Sequence, residues 1–304
     1  PHGGRAIWIR HTVHKRPGAE PTCAVWVTWF DDQAGPPRAA KRQFGATELS
    51  IPEGAYVRVN ESEIGPGWVR GSVGGEGTAA SWGLRFTDRH ETLRHLPAEW
   101  MYEARLPRTK LLSPHPGALF DGAFEVDGER VEVSGWPGTV GHNWGAEHAE
   151  RWVWMHATGF EGGEPTDYLD IAAGRARLGP VTTPWVANGR LVLDGAEHRL
   201  GGLLRSIRGS IHARPRGCEV RLAGDGVKLA GGTMVPAGQL VAWVYSDPGG
   251  GEHHALNCSV SDLEFTLRRR GERPRMLRLI RGAAYEFGSR DTGHGVPVQP
   301  FEDG

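Results

Sequence analysis

The chain has 304 residues, enough for two domains of ordinary size, and a formal charge of −1 with a pI near 7.1 gives it no net field to draw nucleic acid or an anionic membrane. Hydrophobic residues make up 38% and mean hydropathy is −0.43, while 45 Gly, 21 Pro and 12 Trp describe frequent turns between strands anchored by large rings. No apolar run is long enough to cross a bilayer and no signal core opens the chain; Cys23, Cys218 and Cys258 make neither a disulfide framework nor a zinc spacing, so a soluble cytoplasmic protein with reduced core cysteines is expected.

Arg5 to His14 opens with period-two alternation, Ile7, Ile9, His11 and Val13 against Trp8, Arg10, Thr12 and His14. After the Lys15-Arg16-Pro17-Gly18 turn, Cys23 to Phe30 alternates Ala24, Trp26, Thr28 and Phe30 with Cys23, Val25, Val27 and Trp29. Neither face is charged, which predicts a strand packed on both sides. Further strands are predicted at 55–60, 68–73, 80–87, 99–106, 119–126, 129–134 and 151–158, with short helices near 88–95 and 146–150. Asp127-Gly128 supplies the positive φ angles of a tight hairpin turn. A second series is predicted at 185–187, 189–193, 206–214, 219–223, 240–246, 254–267 and 283–287, with turns at Asn188-Gly189 and Asp194-Gly195. The basic stretch from Thr266 to Arg281 reads as a strand with one solvated face. Closely spaced strands without intervening amphipathic helices predict an all-β fold of antiparallel sandwiches or barrels, divided near residue 178 into units 1–178 and 179–304.

Chemistry is concentrated in Gly141-His142-Asn143-Trp144-Gly145-Ala146-Glu147-His148 and in the following strand, where Trp152, Trp154, His156 and Thr158 share a face. Tryptophan walls with a few convergent polar groups suit a flat or elongated apolar ligand. Glu147 and His148 are the candidate proton donors and Asn143 an orienting hydrogen-bond partner; Trp144, Trp152, Trp154, His156 and Tyr168 are candidate lining residues. Asp167 and Asp170 are further candidate acids, expected on opposite faces of their strand. His142, His148 and His156 lack metal-ligand spacing, and His253-His254 sends its rings to opposite faces, so no metal is expected. No nucleophile elbow is present, and Gly-rich runs lack the strand–loop–helix context of a phosphate cradle.

Gly141-His142-Asn143-Trp144-Gly145 followed by Trp152-Val153-Trp154 resembles the Asn-Trp-Gly signature and aromatic strand of the carotenoid hydratase and tocopherol cyclase-like group, which includes the AttH-like proteins. The segment from Ala284-Tyr285-Glu286-Phe287-Gly288 through Gln299-Pro300-Phe301-Glu302-Asp303-Gly304 resembles the end of bacterial members of that group. The resemblance implies two tandem lipocalin-like antiparallel β-barrels and an isoprenoid or polyene ligand. It further implies acid-promoted water addition or cyclisation, a lyase or cyclase chemistry with no metal or redox cofactor. A lipocalin-like carrier of an apolar small molecule would use the same walls without a tuned acid.

Overall fold

The computed structural model describes residues 2–299 apart from 76 and 207; the end of the chain from Pro300 to Gly304, part of the resemblance above, lies outside them. The chain is all β, its named strands paired antiparallel in two large curled sheets, a three-stranded one and a two-stranded ribbon. The small sheet is the opening meander, β1 (Arg5–His14), β2 (Thr22–Asp31) and β3 (Arg38–Gly45). An eight-stranded sheet follows and ends in the long hairpin of Thr109–Val126 with Glu129–Gly145. A ten-stranded sheet begins at Arg151–Thr158, which pairs with both Tyr168–Arg175 and Arg275–Ser289. Pairing therefore passes from one large sheet to the other at 146–150, and residue 178 falls in a separate two-stranded ribbon.

β2 is the shared wall. Its even-numbered residues Ala24, Trp26 and Phe30 join the core of the ten-stranded sheet, and its odd-numbered Cys23, Val25, Val27 and Trp29 join the core of the eight-stranded one. That is the physical meaning of an alternation with no charged face: both sides exclude water. Trp26 meets Trp243 edge-on at 5.1 Å, donates its indole N–H to Thr12 Oγ1 at 2.9 Å, and carries the Lys41 ammonium 3.8 Å from its ring centre. On the opposite side Trp29 packs against Phe124 at 4.8 Å.

The turn chemistry predicted at Asp127-Gly128 and Asp194-Gly195 is present, with φ of 53° and 83° in the first and 52° and 77° in the second. The three cysteines are buried and free. Four expectations are corrected. Segment 99–106 is no strand: Trp100–Glu103 forms one helical turn, because Tyr102 is hooked inward, its hydroxyl donating to Leu111 O and accepting from Leu96 N. Segment 88–95 is not helical, since Asp88 satisfies the backbone N–H of His90 and Gly117 and leaves an extended chain with a short strand at Leu93–Arg94. Segment 146–150 is likewise not helical; the His148 N–H goes to Asp247 Oδ1 instead of a helical carbonyl. Asn188-Gly189 lies inside strand Val186–Leu193 rather than at a turn, and Gly189 is required there because a Cβ would strike the backbone oxygen of Asp170.

A wall that serves two cores makes a test available. Trp26→Ala and Trp29→Ala point into different cores, and each is expected to cost about 3–5 kcal/mol in urea unfolding. Were β2 part of one core alone, one of the two substitutions would be nearly neutral.

Candidate functional site

The outward face of the ten-stranded sheet, turned towards β1 and β2, can be read row by row because directly paired residues share a face. One row runs Val241, Asn257, Glu286, Trp154, Ala172, Asn188; the next runs Trp243, Ala255, Gly288, Trp152, Gly174. On the other side of Trp154 lie Ala284, His156, Asp170 and Arg190. Glu286, Trp152, Trp154, Ala172 and Ala284 are only half-buried, although strands flank them on both sides. This half-buried stretch in the middle of the sheet is the candidate cleft.

Two walls enclose it. β1 contributes Trp8, stacked on Trp243 at 6.1 Å, and Arg10, whose guanidinium lies 4.0 Å from the Tyr245 ring centre. Opposite, the hairpin arm beginning at Thr109 is pinned at two points: Thr109 Oγ1 donates to Glu147 O, and Ser113 Oγ donates to Asp170 Oδ2 at 3.1 Å. Strand alternation places Leu111 on the same side, between these anchors, together with its paired residue Asn143.

The cleft floor holds a fixed carboxylate. Glu286 accepts from the Trp152 indole N–H at 2.7 Å through Oε1 and from the Tyr245 hydroxyl at 3.2 Å through Oε2. Gly288 makes the first bond possible, because any Cβ there would overlap the Trp152 indole. Beside Glu286 sits Asn257, fully buried, with neither amide atom hydrogen-bonded among the described residues.

Across Trp154 lies a second polar centre. Asp170, fully buried, accepts from Trp154 Nε1 at 2.9 Å, shares a hydrogen bond with His156 Nδ1 at 3.3 Å, and has His95 Nε2 at 3.6 Å. Burial pushes its carboxyl up, but His95, His156 and the Trp154 N–H together outweigh burial and hold it below the usual range. Burial drives His95 the other way, towards the neutral form. His156 is bonded at both nitrogens, Nε2 meeting Thr158 Oγ1 at 2.7 Å, and its ring lies parallel to Trp154 at 5.8 Å. Tyr168 stacks behind it at 6.4 Å. Asp167 is equally buried, but its oxygens take the backbone N–H groups of Glu164 and Asp194 and serve the loop.

The structure thus gathers Trp152, Trp154, His156 and Tyr168 on one face and separates them from the Asn-Trp-Gly turn. Trp144 is exposed and faces away from the cleft, stacked on His142 at 4.9 Å and Tyr102 at 5.9 Å. Asn143 is exposed at the arm's edge. Glu147 is ion-paired with Arg108 and Arg290. His148 lies at the rim, parallel to Trp152 at 5.3 Å, its Nδ1 2.6 Å from Asp247 Oδ1. Asp247 is held below the usual carboxylate range: burial raises it, and the two His148 hydrogen bonds outweigh burial. Glu286, Asp247, His253 and Asn257 were not among the predicted site residues. Glu286 reaches Trp152 and Trp154, and Asp247 and His253 reach His148, only through contacts about a hundred or more residues apart in the chain, for which local periodicity carries no signal.

No family model matches the chain. Two uncharacterized proteins of Mycobacterium tuberculosis, from strains CDC 1551 and H37Rv, are each 27% identical over 276 residues, covering 86% of this chain and 76% of theirs. Among solved structures, an AttH-like protein of Nitrosomonas europaea superposes with a TM-score of 0.54 at 14% identity, covering 93% of this chain and 87% of that one. A kievitone hydratase of Nectria haematococca gives 0.46 at 11% identity, over 94% and 90%. The first of these likenesses places the chain in the fold of the AttH-like protein, two curled sheets in a double-barrel arrangement. No helix among the described residues is long and apolar enough to cross a membrane.

The buried imidazoles predict how stability depends on pH. Burial lowers His11 from 6.5 to about 4 in the folded chain, whereas an unfolded chain takes up that proton near 6.5. Between these values the unfolded state binds more protons, so stability is complete above about pH 6.5 and declines as pH falls towards 4. His95, shifted in the same direction, adds to the decline. Urea midpoints measured across this window should fall in the wild type and fall less in His11→Gln; equal slopes would show that His11 is not held neutral.

Proposed function

We propose that the cleft binds an elongated apolar ligand of isoprenoid or polyene type and adds water to, or removes it from, a carbon–carbon double bond. The observation that carries this reading is Glu286, a half-buried carboxylate fixed by two hydrogen bonds in the floor between Trp152 and Trp154. In its protonated form Glu286 gives a proton to one alkene carbon. Water then bonds through oxygen to the other carbon and returns a proton to the same carboxylate. The sum is H and OH added across the double bond with Glu286 restored, and elimination is the reverse.

The indole faces of Trp152 and Trp154 supply area for the ligand and negative π density beside the carbon that becomes electron-poor. Asp170 and His156 act one step removed: they hold the Trp154 N–H and ring plane. Proton transfer is assigned to the floor in preference to Glu147 and His148, because Glu147 is committed to Arg108 and Arg290 and His148 is held at the rim by Asp247. The Asn-Trp-Gly resemblance and the shared fold agree with this chemistry without specifying it.

A carrier without turnover is the second reading. It is favoured by the fact that both Glu286 oxygens already accept hydrogen bonds from the protein. Copurified lipid identified by mass spectrometry supplies the ligand class, and incorporation of labelled water oxygen measures turnover. Glu286→Gln is expected to lower turnover by about 10²–10⁴-fold, the range for general acid–base groups, with binding changed by only a few-fold. Unchanged turnover in Glu286→Gln would remove that residue from the reaction, and tight binding without turnover in the wild type establishes the carrier.

A further inference from the structure

At the rim, apart from the cleft floor, His148, Asp247 and His253 converge: one ligating atom from each lies within 4.8 Å of the others. Asp247 follows strand Val241–Ser246, His253 lies on the next strand, Glu252–Arg269, and His148 is brought over from the connection between the two large sheets. Asp247 Oδ1 is 2.6 Å from His148 Nδ1, and its Oδ2 is 3.6 Å from His253 Nδ1. Two features are costly in a purely structural cluster. His253 is fully buried, yet neither ring nitrogen has a hydrogen-bond partner among the described residues. Asp247 Oδ2, also buried, makes no hydrogen bond among the described residues and lies 3.6 Å from both that imidazole and the Arg290 guanidinium. Leaving such groups unsatisfied costs about 1–3 kcal/mol each, more for a charged one, so their mutual orientation calls for something that satisfies all of them together.

We propose that His148, Asp247 and His253 form a binding site for one divalent transition-metal ion of the kind that accepts two imidazoles and a carboxylate, zinc or iron(II). An ion about 2.0–2.2 Å from each donor requires the three atoms to close in modestly from their present spacing. His148 would present Nδ1 as a lone pair, its proton moving to Nε2, so that Asp247 Oδ1 gives up its hydrogen bond to the ring and keeps the one from the His148 backbone N–H at 2.8 Å. The neighbouring charges are consistent with this. Arg290 lies 3.6 Å from Asp247 Oδ2, but Glu147 at 3.4 Å and Glu150 at 3.3 Å give its guanidinium two other carboxylates when a cation takes its place. Three protein ligands leave at least one coordination position for water or for an oxygen of a bound molecule. Sequence spacing hid the set, since its members are 99 and 105 residues from His148.

The site uses none of the groups assigned to proton transfer, so it stands or falls separately from the Glu286 reading. Protein stripped with a chelator is titrated with zinc chloride by calorimetry, and its thermal melt is followed with and without zinc. The expected result is one zinc per chain and a raised Tm. His253→Gln and Asp247→Asn should each weaken binding by more than the roughly 10–100-fold that loss of an outer hydrogen-bond partner costs. His294→Ala breaks a different close imidazole pair, His254 Nδ1 to His294 Nε2 at 2.8 Å, and should leave binding unchanged. Metal-free melts show whether each variant folds, and His148→Gln, at the half-buried ligand, carries the test if a buried substitution does not. Cobalt(II) in place of zinc should give a visible spectrum that is absent in the ligand variants. The proposal is overturned if the wild type binds no zinc, if the ligand variants bind as the wild type does, or if binding disappears with His294→Ala.

Discussion

The arrangement depends on the burial of β2 on both faces. A strand whose even-numbered residues complete one core and whose odd-numbered residues complete another forces the two large sheets to approach from opposite sides. Its partner β1 is then held against the outer face of the ten-stranded sheet, and β3, on its other edge, lies against Trp68–Gly75 and Thr78–Thr87 of the eight-stranded one. That contact brings Trp8, Arg10 and Trp26 up to Trp243 and Tyr245, with Lys41 against the Trp26 ring. Burial, with the nearby Arg10 charge, lowers Lys41 to about 7. The opening meander leaves part of the ten-stranded sheet to other segments: the arm at 109–113 reaches Asp170 through Ser113, and segment 90–95 covers Tyr168 and Asp170 through His90, Leu93 and His95.

What could be read from the sequence follows the range of the interaction. The two-sided burial of β2, the turns at Asp127-Gly128 and Asp194-Gly195 and the common face of Trp152, Trp154 and His156 are local properties, fixed by a period of two or by the φ preference of two residues. Asn188-Gly189 misled for an instructive reason: the same dipeptide that closes a hairpin also tolerates a close strand crossing, and here Gly189 makes room for the Asp170 carbonyl. Segment 99–106 misled because Trp100, Met101 and Tyr102 are apolar without alternating, and a single hook through the Tyr102 hydroxyl decides their conformation.

The site was legible only where its residues share a strand. Trp144 and Trp152 look equivalent in sequence, but the register pairing Lys110 with Trp144 turns that indole away from the cleft, and a register set by residues over thirty positions apart leaves no local trace. Glu286 and Asp247 are similarly unmarked. Each is one carboxylate among 36 Asp and Glu residues, and becomes distinctive only when pairing places Trp152 and Tyr245 against the first and His148 and His253 against the second.

The small residues of the outward face have a further consequence. Ala172, Ala284, Gly174 and Gly288 surround the two indoles, and their lack of bulk, more than any polar group, sets the depth of the floor. Where Gly288 is, the Trp152 ring can lie flat; at Ala172 and Ala284 each added methylene would be subtracted from the volume open to a ligand without disturbing a strand hydrogen bond. On the proposed function, single substitutions at these positions would change which ligand shapes fit while the backbone stays the same. This is an economical route by which one double-barrel scaffold can come to fit molecules of different shape.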